Sequence, residues 1–177
     1  MDFDLSSDQE ALREGAAALL DDLASPARVR AHTDRGDAYD VELWAAMSEQ
    51  GWPALEVPEA DGGIGLGAVE AAVLVEEMGR RGAPAPFTPT ILAIDALARA
   101  GEAATVDAIL AGEVLACVAW DPAAPVPYAP SADLAVVVGA DGVDLLDLPE
   151  RPRREPAMDL TRELGWIDVD PAQIGRA

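Results

Sequence analysis

Up to Gly112 the apolar residues recur at helical spacing, and beyond it they alternate and become β-branched. A chain with this pattern can fold as helices followed by a sheet, but not as the alternating strand–helix units of a doubly wound fold. Ser7 and Glu10 carry the signature of a capping box, ahead of Leu12, Ala16, Leu19, Leu20 and Leu23 on one helical face. Pro26 suits the first turn of a short second helix that gives way to a Thr33–Asp37 loop. Asp40 can cap a third helix bearing Leu43, Trp44 and Met47, closed by Gly51. An irregular stretch from Trp52 holds Gly62, Gly63, Gly65 and Gly67. Ala68–Met78 is almost continuously apolar, which predicts a helix buried on more than one side and ended by Gly79 and Gly82. After a link holding Pro84, Pro86 and Pro89, two further helices are predicted over about Thr90–Ala100 and Thr105–Ala111.

Val114–Trp120 and Ala132–Val138 read as strands, and Asp141-Gly142 is a two-residue hairpin signal returning through Val143–Leu148. Pro149–Pro156, rich in proline and arginine, reads as a loop. Leu164–Val169 reads as a last strand, and Pro171–Ala177 has no period. The expected fold class is α+β, with an amino-terminal helical domain over residues 1–112 followed by an antiparallel β domain over 113–177.

Composition narrows the chemistry. Among 177 residues, 33 are acidic and 12 basic, for a formal charge of −21. That balance repels phosphate backbones and anionic lipid, so neither nucleic acid nor a membrane surface is an expected partner. No apolar run is long enough to span a bilayer, and the Met-Asp-Phe-Asp start lacks the basic and apolar regions of a secretory signal. A cytoplasmic protein is expected. One cysteine, Cys117, excludes an intramolecular disulfide and a cysteine-based zinc site. His32 is the only histidine, which excludes multi-histidine metal sites, and the absence of lysine removes Schiff-base chemistry. No metal site is expected.

Several features invite a functional reading. Gly63, Gly65 and Ala68 fit a G-x-G-x-x-A pattern ahead of a helix, as a pyrophosphate site requires. No parallel βαβ unit surrounds them, so a glycine-built turn is the expectation. Asp21-Asp22, Glu76-Glu77 and the pair Asp144/Asp147 could hold a metal or serve as acid and base, but 33 acidic residues produce such pairs by chance. His32, beside Thr33 and Asp34, reads as a surface residue, and Cys117 as a small core residue in a strand. Trp44, Trp52 and Trp166 read as packing residues, and Trp120 stands apart because it ends a strand beside Asp121-Pro122.

Leu43–Gly67, LWAAMSEQGWPALEVPEADGGIGLG, resembles the amino-terminal signature of acyl-CoA dehydrogenases. In that family a helix ends in a Gly-Trp or Gly-Leu turn and runs into Pro-Glu-x-x-Gly-Gly-x-Gly. The matching positions are Gly51, Trp52, Pro58, Glu59, Gly62, Gly63 and Gly65. Glu76-Glu77-Met78-Gly79 resembles the family's Glu-Glu-Leu-Gly helix ending, and Ala111-Gly112-Glu113 with Val114–Pro122 resembles the entry into its flavin-facing β domain. Ala132-Asp133 and Met158–Arg162 also have family counterparts, so the resemblance covers nearly the whole chain.

The resemblance implies FAD as cofactor, acyl-CoA as ligand, and a carboxy-terminal helical bundle that has no counterpart here. No residue matches the family's catalytic glutamate, which lies in that bundle. The flavin-contacting strand of the family ends in Thr-Glu-Pro; here Trp120, Asp121 and Pro122 stand there, so Ala119, Trp120 and Asp121 are the candidate cofactor-binding residues. Trp120 lacks the hydroxyl that tunes the flavin and adds bulk where its ring would lie. A flavin-flanking hairpin of the family is shortened to Val126–Pro130. Phe87, Thr88 and Thr90 correspond to part of the acyl pocket, although Thr88 also reads as a helix cap. Three functions follow as expectations: part or subunit of an FAD-dependent acyl-CoA oxidoreductase that is inactive alone, a non-catalytic partner or scaffold subunit, or an acyl-CoA binding module. Apolar surface left without the bundle, on Ala68–Met78 and one sheet face, predicts a homo-oligomer or association with a homologous dehydrogenase subunit.

Overall fold

The computed structural model describes residues 4–121, 123–139 and 142–168. The chain divides between Ala85 and Pro86 into two compact units. In the first, α1 (Ser7–Leu23), α2 (Pro26–Arg35), α3 (Val41–Glu49) and α4 (Ala68–Arg81) enclose a core that includes Leu20, Leu43, Met47 and Leu74. The capping box of α1 sits one residue earlier than the spacing predicts. Ser6 accepts the Gln9 N–H and Gln9 returns its side-chain oxygen to the Ser6 N–H. Both S-x-x-Q and S-x-x-E satisfy the local signal, and Gln9 is selected because its amide also reaches Glu70 on α4, 2.8 Å away.

Asp40 caps α3 through the Leu43 N–H as expected. The second helix continues through Thr33–Arg35 and ends at Gly36, whose φ of 72° is left-handed, so the expected loop is shorter. That extra turn overturns the surface reading of His32. The ring is fully buried, with Nδ1 4.0 Å from the Asp37 carboxylate. Likewise α4 runs through Gly79 and stops at Gly82. It buries Ala71, Val73, Leu74, Glu77 and Met78, while Val69 at its start is exposed. Buried Glu77 is held by Arg81, 2.5 Å away, which also pairs with Asp21 on α1. A buried carboxylate needs such a partner to offset its lost hydration.

The second unit contains α5 (Phe87–Ala100), α6 (Ala103–Leu110) and two three-stranded sheets. Helix α5 begins at Phe87, earlier than predicted, because Pro89 in its first turn lacks only an N–H that would be unpaired there anyway. The first sheet has the order β1–β3–β4, with β1 Ala116–Ala119, β3 Leu134–Gly139 and β4 Gly142–Asp147. The second has the order β2–β6–β5, from β2 Val126–Pro127, β5 Arg154–Glu155 and β6 Leu164–Gly165.

The α+β class holds, but the sheet is not purely antiparallel. Strands β1 and β3 run parallel, Ala116 opposite Leu134 and Ala119 opposite Val137. Residues 120–133 form a crossover long enough to return the chain in the same direction. All other pairings are antiparallel among the described residues. The β3–β4 hairpin is present with Gly139 opposite Gly142. Its two connecting residues, including Asp141 of the predicted turn, lie outside the described residues, as do Pro122, Val169 and Pro171–Ala177. Arg154–Glu155 pairs with β6, so the predicted Pro149–Pro156 loop contains a short strand. Cys117, Ala119, Ala135 and Val137 share a core with Val126, Ala129, Leu148 and Ile167, and α5 packs against β1, β3 and β4. No helix among the described residues is long and apolar enough to cross a membrane.

Candidate functional site

The Trp52–Gly67 segment closes on itself. Gly63 N–H donates to Pro58 O, Ile64 to Ala54, Gly65 to Val57 and Leu66 to Leu55, all within 3.0 Å. A Cβ at Gly63 would overlap the Val57 carbonyl and side chain, and Gly62 and Gly65 adopt left-handed φ of 83° and 73°. The glycines thus serve close backbone approach within the loop. Their amides at Gly63 and Gly65 are used internally and are not presented to a pyrophosphate. Glu70 completes the following helix start by accepting the Gly67 N–H at 3.0 Å.

At the end of β1, the three candidate cofactor residues have different surroundings. Ala119 is buried in the sheet core, whereas Trp120 is 63% exposed. Asp121 is exposed and its Oδ1 accepts the Ala123 N–H at 2.8 Å, forming a local turn. An exposed indole offers a face on which a planar ring can stack. A carboxylate has the wrong sign to hold a pyrophosphate. Of the three, Trp120 alone presents a face on which the ring portion of FAD could stack, and none is suited to its phosphates.

The acyl-pocket candidates divide the same way. Phe87 and Thr90 are buried, and the Thr90 hydroxyl donates to Pro86 O at 2.7 Å. Thr88 is exposed, but it does not cap the helix, which starts at Pro86–Phe87. Cys117 is buried and burial pushes its thiol up to about 12, so it carries almost no thiolate near neutral pH. Among the described residues, no group of three or more His, Cys, Asp or Glu could hold a metal.

Two residues that the sequence did not single out flank the strands of the second sheet. Tyr128 is buried with a left-handed φ of 61°, and its N–H donates to Glu163 O at 3.0 Å. Burial holds its phenol well above the ordinary range. Glu163 is 3% exposed and its Oε1 has no hydrogen-bond partner. Nearby, Asp159 accepts hydrogen bonds from the Thr161 N–H and hydroxyl and from Arg162. Burial pulls the Asp159 carboxyl up, yet these bonds outweigh it and leave it below the usual carboxylate range. The one local signal was the proline-flanked Val126–Pro130 segment, which marks a turn but not which residue it buries.

Residues 6–113 match the acyl-CoA dehydrogenase N-terminal domain family. The chain is 35% identical over 166 residues to acyl-CoA dehydrogenase IpdE2 of Mycolicibacterium smegmatis, covering 92% of this chain and 52% of that protein. Its fold is similar to that in the ChsE4-ChsE5 complex from Mycobacterium tuberculosis, with a TM-score of 0.78 at 21% identity over 98% of this chain and 58% of that one. The Tcur3481-Tcur3483 steroid ACAD variant gives a TM-score of 0.73 at 24% identity, over 89% and 54%. The chain thus spans about half the length of the curated relatives it matches.

Proposed function

Because the chain belongs to the acyl-CoA dehydrogenase family, we propose that it works as one part of an FAD-dependent acyl-CoA oxidoreductase and is inactive alone. The observation that carries this reading is the family match over residues 6–113, together with 35% identity over 166 residues to acyl-CoA dehydrogenase IpdE2. Dehydrogenation between the α and β carbons of a thioester needs a base for the α proton and an acceptor for the hydride. FAD supplies the acceptor when bound. The chain's contribution is positional: exposed Trp120 would hold the ring, with Ala119 and Asp121 fixing the strand end that presents it. Phe87 and Thr90, buried at the α5 start, and exposed Thr88 would supply part of the acyl pocket. The family's base and the phosphate-holding groups come from another chain or a further domain, in a cytoplasmic assembly. Within the family's division, residues 1–112 serve as the helical domain and 113–177 as the β domain.

The partner in this reading is a homologous dehydrogenase subunit. Support comes from the ChsE4-ChsE5 and Tcur3481-Tcur3483 structures, both named as pairs. The test mixes the purified chain with FAD and a panel of acyl-CoAs, alone and with a co-encoded homologue, while following dye reduction. No turnover alone and turnover with the homologue are expected. Turnover by the isolated chain would overturn the reading.

A second reading, a non-catalytic scaffold subunit, is favoured by Trp120 standing where the family carries a flavin-tuning threonine. In that case the reconstituted pair would hold flavin only in the partner, and Trp120→Thr would leave its visible spectrum unchanged.

A further inference from the structure

The glycine loop of the first unit holds apolar side chains out in water. Ile64 is 39% exposed, Leu66 40% and Val69 54%, all within one short stretch of chain. The backbone there is fixed: the N–H groups of Ile64 and Leu66 donate to Ala54 O and Leu55 O at 3.0 and 2.9 Å, and Val69 stands in the first turn of α4. The same loop buries Trp52, Leu55 and Val57, so its own core is filled without these three. Around them the charge has one sign. Glu56, Glu59 and Asp61 are exposed and form no ion pair among the described residues. Glu59 runs beside the loop, its Cγ 3.4 Å from where a Cβ on Gly65 would stand. No arginine falls between Arg35 and Arg80 to offset them.

Apolar side chains fixed in water beside unpaired carboxylates complement a partner that is apolar at its centre and basic at its edge. A second copy of this patch is unsuited, since both rims would be acidic, and an anionic lipid surface is repelled for the same reason. We propose that Ile64, Leu66 and Val69 dock an apolar side chain carried on a lysine- or arginine-rich segment of another protein, with Glu56, Glu59 and Asp61 meeting its cations. Three side chains make a small contact of the transient kind, in which the rim charges act chiefly on the rate of encounter. The patch lies wholly within the first unit, so this inference does not depend on the oxidoreductase reading.

The probe is a dye-labelled peptide with one leucine flanked by lysines, titrated into the full chain and followed by fluorescence anisotropy. Saturable binding is expected at low salt, weakened about tenfold when the leucine of the peptide is replaced by serine. In the chain, Leu66→Ser should weaken binding about tenfold and Val69→Ser about threefold. Val69 is the more exposed of the two, and its variant reads the same contact if Leu66→Ser fails to fold. Glu56→Gln with Glu59→Gln should flatten the salt dependence of binding. Glu14→Gln with Asp22→Asn removes as much charge from the exposed face of α1 and should leave the affinity within about twofold. Equal binding by the serine peptide, or equal losses from the two charge pairs, would mean that the net charge alone attracts the peptide, which overturns the proposal. Failure of the leucine peptide to bind at low salt overturns it as well.

Discussion

The side-chain amide of Gln9 on the first helix donates to Glu70 on the fourth at 2.8 Å, and so joins two helix starts through one residue pair. Gln9 closes the Ser6 cap and Glu70 closes the Gly67 N–H, so each end of the bridge also satisfies a backbone donor. The Gln9 hydrogen bond, with backbone bonds from Glu70 and Gly67, holds the Glu70 carboxyl below its ordinary value.

The sign of the pH dependence follows. A carboxylate whose folded pKa is depressed contributes stability above its unfolded value and loses it as pH falls through the folded value. Comparing wild type with Glu70→Gln in thermal melts, the gap should be constant above about pH 5 and shrink below the unfolded carboxylate value. A gap independent of pH down to 2 would show that Glu70 acts by packing alone. Ser6→Ala, which removes the cap itself, should cost about 1 kcal/mol in denaturant titration.

The glycine loop supports a comparison between neighbours. Gly63→Ala forces a Cβ into the Val57 backbone and should destabilise the chain by about 3 kcal/mol or more. Gly62→Ala meets open space and carries only the left-handed φ, so about 1 kcal/mol is expected. Equal losses in urea unfolding would refute the close-approach explanation of this motif.

Cys117 should behave as a packing residue. With its thiol at about 12, a thiol-reactive dye at pH 8 should label it only through opening of the fold, at a rate that rises with urea. Labelling as fast as a free thiol in the absence of denaturant would place it at the surface.

Trp120 should carry ring stacking and little stability. Trp120→Ala is expected to change folding free energy by about 0.5 kcal/mol or less, since the residue is mostly exposed. It should also remove the quenching of indole fluorescence expected when FAD is added to the reconstituted assembly. Quenching that survives the substitution would assign the contact to another tryptophan.

What the sequence determined by itself was local: the Asp40 cap, the glycine stops after α4 and α5, the positions of β1, β3 and β4 and the α-then-β order. Each depends on signals within a turn or two of chain, where backbone geometry and side-chain period act directly. The family motif at Pro58–Gly65 was legible for the same reason. The tertiary structure decided what required residues far apart to meet. It chose Ser6–Gln9 over Ser7–Glu10 because Glu70 is within reach, and it paired β1 with β3 in parallel because a long crossover intervenes. It also buried His32, which sits in a polar stretch but faces the core, and exposed Trp120 while burying Glu163. Solvent exposure belongs to the packed molecule, since the same polar or apolar residue faces either way depending on which distant segment covers it.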